Sequence, residues 1–269
     1  MAHRRFFVDS LTIQPSGEGA AAAALASVSP AEYHHMVNVV RIHVGEPVEL
    51  VSRADWTVVV GLISGISEPG DAAIALVDVR EVVASTPPFE VDLLFGLSKG
   101  ETSETVVRMA TEIGVSKIVP FFSSRTVVRL DARKAQSRAV RFGAIAEAAT
   151  KQSHRGTIPS IGVPCELSSV IEVLDQYDVV LVAWEERDGF GIREALSGVQ
   201  ITQCLPGSVF RVAVIIGPEG GLSKSEVDLI VGAGGKAVSL GATILRVDTA
   251  VSCALALTFD ALAAVTSEA

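Results

Sequence analysis

The period of the apolar positions changes once along this chain of 269 residues, close to Glu90. Before that point the runs are short. Phe6-Phe7-Val8 and residues 46–51 and 56–63 are rich in Val, Leu, Ile or Phe, and Gly or Asp turn signals bound the latter two, so each is predicted to be a strand. Residues 73–79 alternate less cleanly but read the same way. One helix is predicted at 30–40, with Ser29 as its N-cap and Pro30 at its first position. The alanine run at 20–24 reads as loop or helix start. Several short strands in this space predict a small barrel. After Glu90 strands and helices alternate. Strands are predicted at 91–97, 117–122, 178–184, 209–216 and 236–240. Helices are predicted at 103–113, closed by Gly114, and at 133–153, ended by the turn from Gly156 to Pro159. Such alternation implies an α/β domain with a parallel sheet covered on both faces. Thr86-Pro87-Pro88 breaks the pattern, which gives expected domains of 1–85 and 86–269.

Composition narrows the class. With 49% hydrophobic and 20% charged residues the chain is an ordinary globular protein. The apolar stretch 249–264 carries Asp260 and reads as a buried core helix, so no membrane partner is expected. Arg4 and Arg5 are not followed by the apolar region of a secretory signal. Cys165, Cys204 and Cys253 are odd in number and show no CxxC spacing. No disulfide framework and no metal site are expected, and a cytoplasmic location is the default. The net charge of −9 argues against a nucleic-acid partner, but residues 99–155 hold 11 Lys and Arg against 5 Asp and Glu. That segment is either a phosphate-binding footprint or a solvated helix face.

Two loops carry the candidate chemistry. After the apolar strand 209–216 comes Gly217-Pro218-Glu219-Gly220-Gly221-Leu222-Ser223. Its glycines let the backbone turn tightly and approach a ligand, and Ser223 with Glu226 forms a capping-box pattern that starts the next helix. The spacing is neither a Walker loop nor GxGxxG. The second loop, Leu240-Gly241-Ala242-Thr243-Ile244-Leu245-Arg246, places apolar Ile244 and Leu245 in a connection, where they are expected to be buried as core or as a slot for a flat base. Arg246 either pairs with Asp248 or reaches a ligand phosphate. Each loop alone is ambiguous between a ligand site and a plain connection. His34 and His35 are expected to pack or cap rather than bind metal.

Together the two loops resemble the GPEGG-L-S-x-x-E and LG-x-x-IL-R-x-[DE]-T signatures of the RsmE family of 16S ribosomal RNA uridine N3-methyltransferases, in the SPOUT superfamily. Upstream segments agree in order. They are Ser98-Lys99-Gly100-Glu101 with Ala110 to Val115, Pro120 to Arg125 with Val128, Gln152-Ser153-His154-Arg155 with Pro159, and His34 to Ile42 with Gly45. Three positions depart from the family pattern: Asp248 for Glu, Lys151 for an acidic residue, and Met109 for Lys.

The resemblance implies a PUA-like β-barrel domain followed by a SPOUT-type parallel sheet with a C-terminal trefoil knot. It implies a homodimer acting on 16S rRNA or the small ribosomal subunit, with S-adenosyl-L-methionine as cofactor. By position, Gly217, Pro218, Glu219, Gly220, Gly221, Leu240, Gly241, Ile244, Leu245, Arg246 and Thr249 would line the cofactor site. Arg246 and Arg125 are the candidates to stabilise charge on a uracil carbonyl, and Glu219 or Asp248 to accept the N3 proton. RNA contacts are expected from Arg4, Arg5, Arg41, Lys99, Arg125, Arg129 and Arg155. Within the basic segment, at least three of Lys99, Arg125, Arg129, Arg133, Arg138, Arg141 and Arg155 are expected only to solvate a helix face. Two other readings stay open: a SPOUT methyltransferase for another ribosomal or transfer RNA base, and a non-catalytic RNA-binding module of the same fold.

Overall fold

A computed structural model describes residues 4–14, 22–67, 72–82, 88–186, 189–199, 201 and 209–267. The chain divides into two compact units, Met1–Thr86 with Lys151–Thr157 and Pro87–Thr150 with Ile158–Ala269. Thr86 and Pro87 of the expected junction lie outside the described residues. The short segment Lys151–Thr157, read as part of the second domain, groups with the first. Charge explains it. Lys151 Nζ lies 2.7 Å from Glu32 Oε2, and His154 Nδ1 is 3.7 Å from Glu49. The departure at Lys151 from the family pattern therefore has a local, structural use.

In the first unit, β1 (Arg4–Val8), β2 (Ser10–Gln14), β3 (Ala23–Ser27), β4 (Pro47–Ser52), β5 (Val58–Ile66) and β6 (Ala73–Val82) form one sheet in the order β1-β4-β5-β6-β3-β2. β1 runs parallel to β4, and the other neighbours are antiparallel. One face of the sheet encloses a core of Phe6, Val8, Val48, Leu50, Val59, Ile63, Ile74 and Leu76. β2 and β3 were not predicted. β3 alternates buried Ala24 and Ala26 with exposed Leu25, so its inward side chains are small. Alanine favours helix, and pairing with β6 overrides that preference here. The predicted helix is α1 (Pro30–His34) continued by a π-helical turn at His35–Val40. Ser29 Oγ caps it by accepting the Glu32 N–H.

The second unit contains β7 (Phe89–Gly96), α2 (Thr102–Ile113), β8 (Lys117–Phe122), α3 (Ala132–Gln152), β9 (Ser160–Ile161), β10 (Cys165–Glu166), α4 (Leu167–Ile171), β11 (Val179–Ala183), α5 (Ile192–Leu196), β12 (Phe210–Ile216), α6 (Lys224–Gly232), β13 (Lys236–Val238) and α7 (Val247–Ser267). The last two residues of α3 belong to the first unit. All the strands are parallel, in the order β10-β8-β7-β12-β11-β13 with β9 beside β8. The strands are nearly all apolar because both faces are covered. Val91, Leu93 and Phe95 of β7, with Val212 and Val214 of β12, join one core with residues of α2, α3 and α7. Leu94, Ala213 and Ile215 face the other, with residues of α4 and α6. α7 is long and apolar enough to cross a membrane by length and composition alone. Its Val251, Ala254, Leu255 and Leu262 are fully buried in the first of these cores.

β7 and β12 are paired along their whole length, from Phe89↔Phe210 to Phe95↔Ile216. Just beyond, a Cβ on Gly96 would lie 2.3 Å from the N and Cδ of Pro218. That approach leaves room for hydrogen alone. Gly96→Ala is expected to lower the unfolding free energy by at least about 2 kcal/mol, the cost of forcing atoms into a packed contact. A urea midpoint equal to that of the unaltered protein would contradict this.

Candidate functional site

Neighbouring parallel strands release their following loops on the same edge of a sheet. Here the loops after β7, β12, β11 and β13 therefore converge. They enclose a cleft of about 980 Å³, lined by residues 99–102, 217–222 and 239–248 together with Thr105, Trp184 and Glu185. The two loops singled out in the sequence thus share one cleft.

The glycine loop is fixed from several sides. Pro218 O accepts the Gly221 N–H at 2.8 Å, which closes a turn. Gly221 has φ +69°, which favours glycine, and a Cβ there would push aside the Glu185 carboxylate, whose Oε1 would lie 2.5 Å away. Glu219 Oε1 accepts the backbone N–H of Lys99 at 2.9 Å, joining this loop to the one after β7. Arg125 Nη1 donates to Gly220 O at 2.9 Å and to Leu222 O at 3.4 Å. The expected capping box is present: Glu226 N–H donates to Ser223 Oγ, and Ser223 N–H donates back to Glu226 Oε2 at 2.8 Å.

In the second loop the expectation for Ile244 needs correction. Its side chain is 88% exposed at the cleft, while Leu245 is half-buried against the core. Nor do Arg246 and Asp248 pair. Asp248 Oδ1 accepts the Thr249 N–H at 2.8 Å, and the Arg246 guanidinium is exposed with no ion-pair or hydrogen-bond partner among the described residues. Thr249 does not reach the cleft wall; its hydroxyl turns toward the Asp248 carboxylate. The cleft lining holds the carboxylates of Glu101, Glu185, Glu219 and Asp248 against the cations Lys99 and Arg246. Its charge therefore suits a ligand with a positive centre, and its glycine and apolar walls suit a flat ring. Among the described residues no group of three or more His, Cys, Asp or Glu is placed to hold a metal.

Comparison with known proteins decides the family. The RNA methyltransferase domain family matches residues 85–258. Ribosomal RNA small subunit methyltransferase E of Bacillus subtilis is 30% identical over 247 residues, 92% of each chain. The chain belongs to the RsmE family of ribosomal RNA methyltransferases. A methyltransferase of Legionella pneumophila, solved with the cofactor S-adenosylmethionine (SAM) bound, matches 97% of this chain and 98% of its own with a TM-score of 0.72 and 26% identity. An RsmE of Neisseria gonorrhoeae has the same fold, with a TM-score of 0.71 at 21% identity over 95% of this chain and 96% of its own.

The cleft of this RsmE chain is also lined by residues that the motifs did not flag. Trp184 and Glu185 follow β11, and Thr102 and Thr105 open α2. Position was their available signal, since each follows the C-terminal end of a strand in the sheet. The expected RNA contacts divide. Arg41 and Lys99 are exposed, and Arg4 is exposed but lies 2.9 Å from Glu46. Arg129 is exposed beside Glu166 at 3.7 Å. Arg125 is spent on the glycine loop. Arg155 is half-buried, and burial pushes its guanidinium down to about 10. Arg5 is withdrawn as an RNA contact. It is 8% exposed, its guanidinium lies 3.4 Å from Glu49, and a buried, paired side chain cannot reach a phosphate. His34 meets Asn38 at 3.0 Å and His35 packs edge-on to Phe6, both local roles.

An exposed side chain without partners adds little to stability. Arg246→Ala is expected to shift the melting temperature by no more than about 2 °C, within the range of surface substitutions. A fall of 5 °C or more would show that Arg246 is structural.

Proposed function

We propose that this protein is a SAM-dependent methyltransferase that transfers a methyl group to N3 of a uridine in 16S ribosomal RNA of the small subunit. The observation that carries the reading is the convergence of the 217–222 and 239–248 loops on one acidic cleft, with the unpaired Arg246 at its wall. Membership of the RsmE family and the SAM-bound Legionella neighbour support it. The reading takes the first unit as a PUA-like barrel, the C-terminal segment as a trefoil knot, and the working enzyme as a cytoplasmic homodimer. Six strands paired in one sheet over a single core in the first unit support the barrel.

The cleft residues fit the cofactor. Leu240, Ile244 and Leu245 offer an apolar wall for its base, the glycine loop a close backbone, and the carboxylates a counter-charge to its cationic groups. When bound, the cofactor supplies a methyl group activated on a sulfonium. Methyl transfer needs a nucleophile held in line, and uracil N3 carries a proton at neutral pH. Arg246 donates to a uracil carbonyl and stabilises the charge that develops as the proton leaves. Glu219 or Asp248 receives that proton. Glu219 commits Oε1 to Lys99 and has Oε2 available for it. Arg41, Lys99, Arg4 and Arg129 contact RNA phosphate.

Calorimetric titration with SAM should show saturable binding, with none for NADH. Gly221→Val should weaken it at least tenfold, since a β-branched residue is strained at that positive φ and would displace the Glu185 carboxylate from the cleft wall. Absence of SAM binding to the unaltered protein, alone and with small subunits present, would overturn the reading. Arg246→Ala should reduce methyl transfer about a hundredfold, the scale of a lost charge-stabilising donor. Near-full activity would remove that role.

A further inference from the structure

The capping box at α6 uses one oxygen of Glu226. The other is committed elsewhere. Glu226 Oε2 accepts from Ser223 N–H at 2.8 Å and from Ser223 Oγ at 2.9 Å, which satisfies the helix start. Glu226 Oε1 accepts the N–H of Ser124 at 2.7 Å, 102 residues away in the loop between β8 and α3. Glu226 as a whole is 9% exposed. Burial pushes its pKa up, but hydrogen bonds from Ser124 and Ser223 outweigh that and hold it below the usual carboxylate range. A charged acceptor shared between two N–H groups makes a strong, directional link.

The loop on the far side of this link is stiff. Ser123 N–H donates to Thr126 Oγ1 at 2.9 Å and Thr126 N–H to Ser123 O at 3.1 Å, with both residues buried. Arg125 stands at its tip. Its Nη1 holds the carbonyls of Gly220 and Leu222, and a Cβ on Gly220 would lie 3.2 Å from Arg125 Cβ. β8 and β12 are not neighbours, because β7 lies between them. The Glu226 bridge therefore reaches across the end of a strand to connect two loops that sheet pairing does not connect. Holding the Gly220 and Leu222 carbonyls fixes the peptide planes of the glycine loop, and so the direction of its N–H groups.

We propose that Glu226 is a positioning residue for methyl transfer, which acts through Ser124 and Arg125 to set the glycine loop of the cofactor cleft. This rests on the methyltransferase reading above. The test is a double-mutant cycle on the full-length protein, measuring kcat and the KM for SAM in transfer of labelled methyl to small ribosomal subunits. Glu226→Gln keeps the capping box with its amide oxygen toward the Ser223 N–H, and so puts its NH2 group opposite the Ser124 N–H. It is expected to lower kcat/KM for SAM at least tenfold in the unaltered background. In an Arg125→Ala background the same change should cost less than twofold, since the route through Arg125 is already cut. Ser223→Ala removes the cap hydroxyl and leaves the Ser124 link, so it should lower the melting temperature and retain kcat.

Equal cost of Glu226→Gln in both backgrounds would overturn the proposal, as would a matching loss of kcat in Ser223→Ala. Amide exchange at Ser124 in the unaltered protein gives a check that requires no variant. Protection is expected, and exchange at the rate of an open loop would also overturn it. If the unaltered protein transfers no methyl group at all, the methyltransferase reading fails; an active protein with an additive cycle fails this inference alone.

Discussion

The ends of β7 and β12 approach so closely that a side chain on Gly96 would overlap Pro218. This contact sits where two parallel strands, far apart in sequence, finish their pairing, and it brings the loop at Lys99 beside the loop at Glu219. The hydrogen bond from Lys99 to Glu219 then spans 120 residues at 2.9 Å. Apolar packing on both faces of the sheet sets the strand register, and the register sets the loops. A shift of β12 by one residue would exchange its two faces and carry Gly217 away from the β7 end.

Much of the second unit was legible in the sequence because its periods are strong. Residues 117–122 and 209–216 are apolar runs of strand length broken only by Lys117 and Arg211, and both are strands within a residue of prediction. The capping box at Ser223 and Glu226 was readable because it is a local hydrogen-bond pattern with a fixed spacing of three. The pieces that escaped are short or atypical. β9 and β10 have two residues each, and β3 is built on alanine, so neither length nor propensity marked them. Helix 30–40 was placed correctly, but a change from α to π hydrogen bonding leaves no trace in periodicity over so few residues.

The site was legible in its loops and less so in its side chains. The glycines announced a tight backbone turn. What each polar group meets depends on distant partners. Arg246 had Asp248 nearby in sequence, yet the carboxylate turns to its own helix start. Ile244 looked like a core residue and is exposed at the cleft. The basic segment is also less free than its charge count suggested. Arg141 lies 2.8 Å from Glu104 and Lys134 lies 3.3 Å from Asp131, so part of that charge is neutralised within the protein.

The central claim is that the cleft at this sheet edge directs a methyl group to uridine N3. The most direct measurement is nucleoside mass spectrometry of 16S RNA from small subunits incubated with the protein and SAM carrying a deuterated methyl group. The account predicts 3-methyluridine that bears the deuterated methyl. Label on another nucleoside, or 16S RNA without label from subunits known to lack the modification, would contradict it.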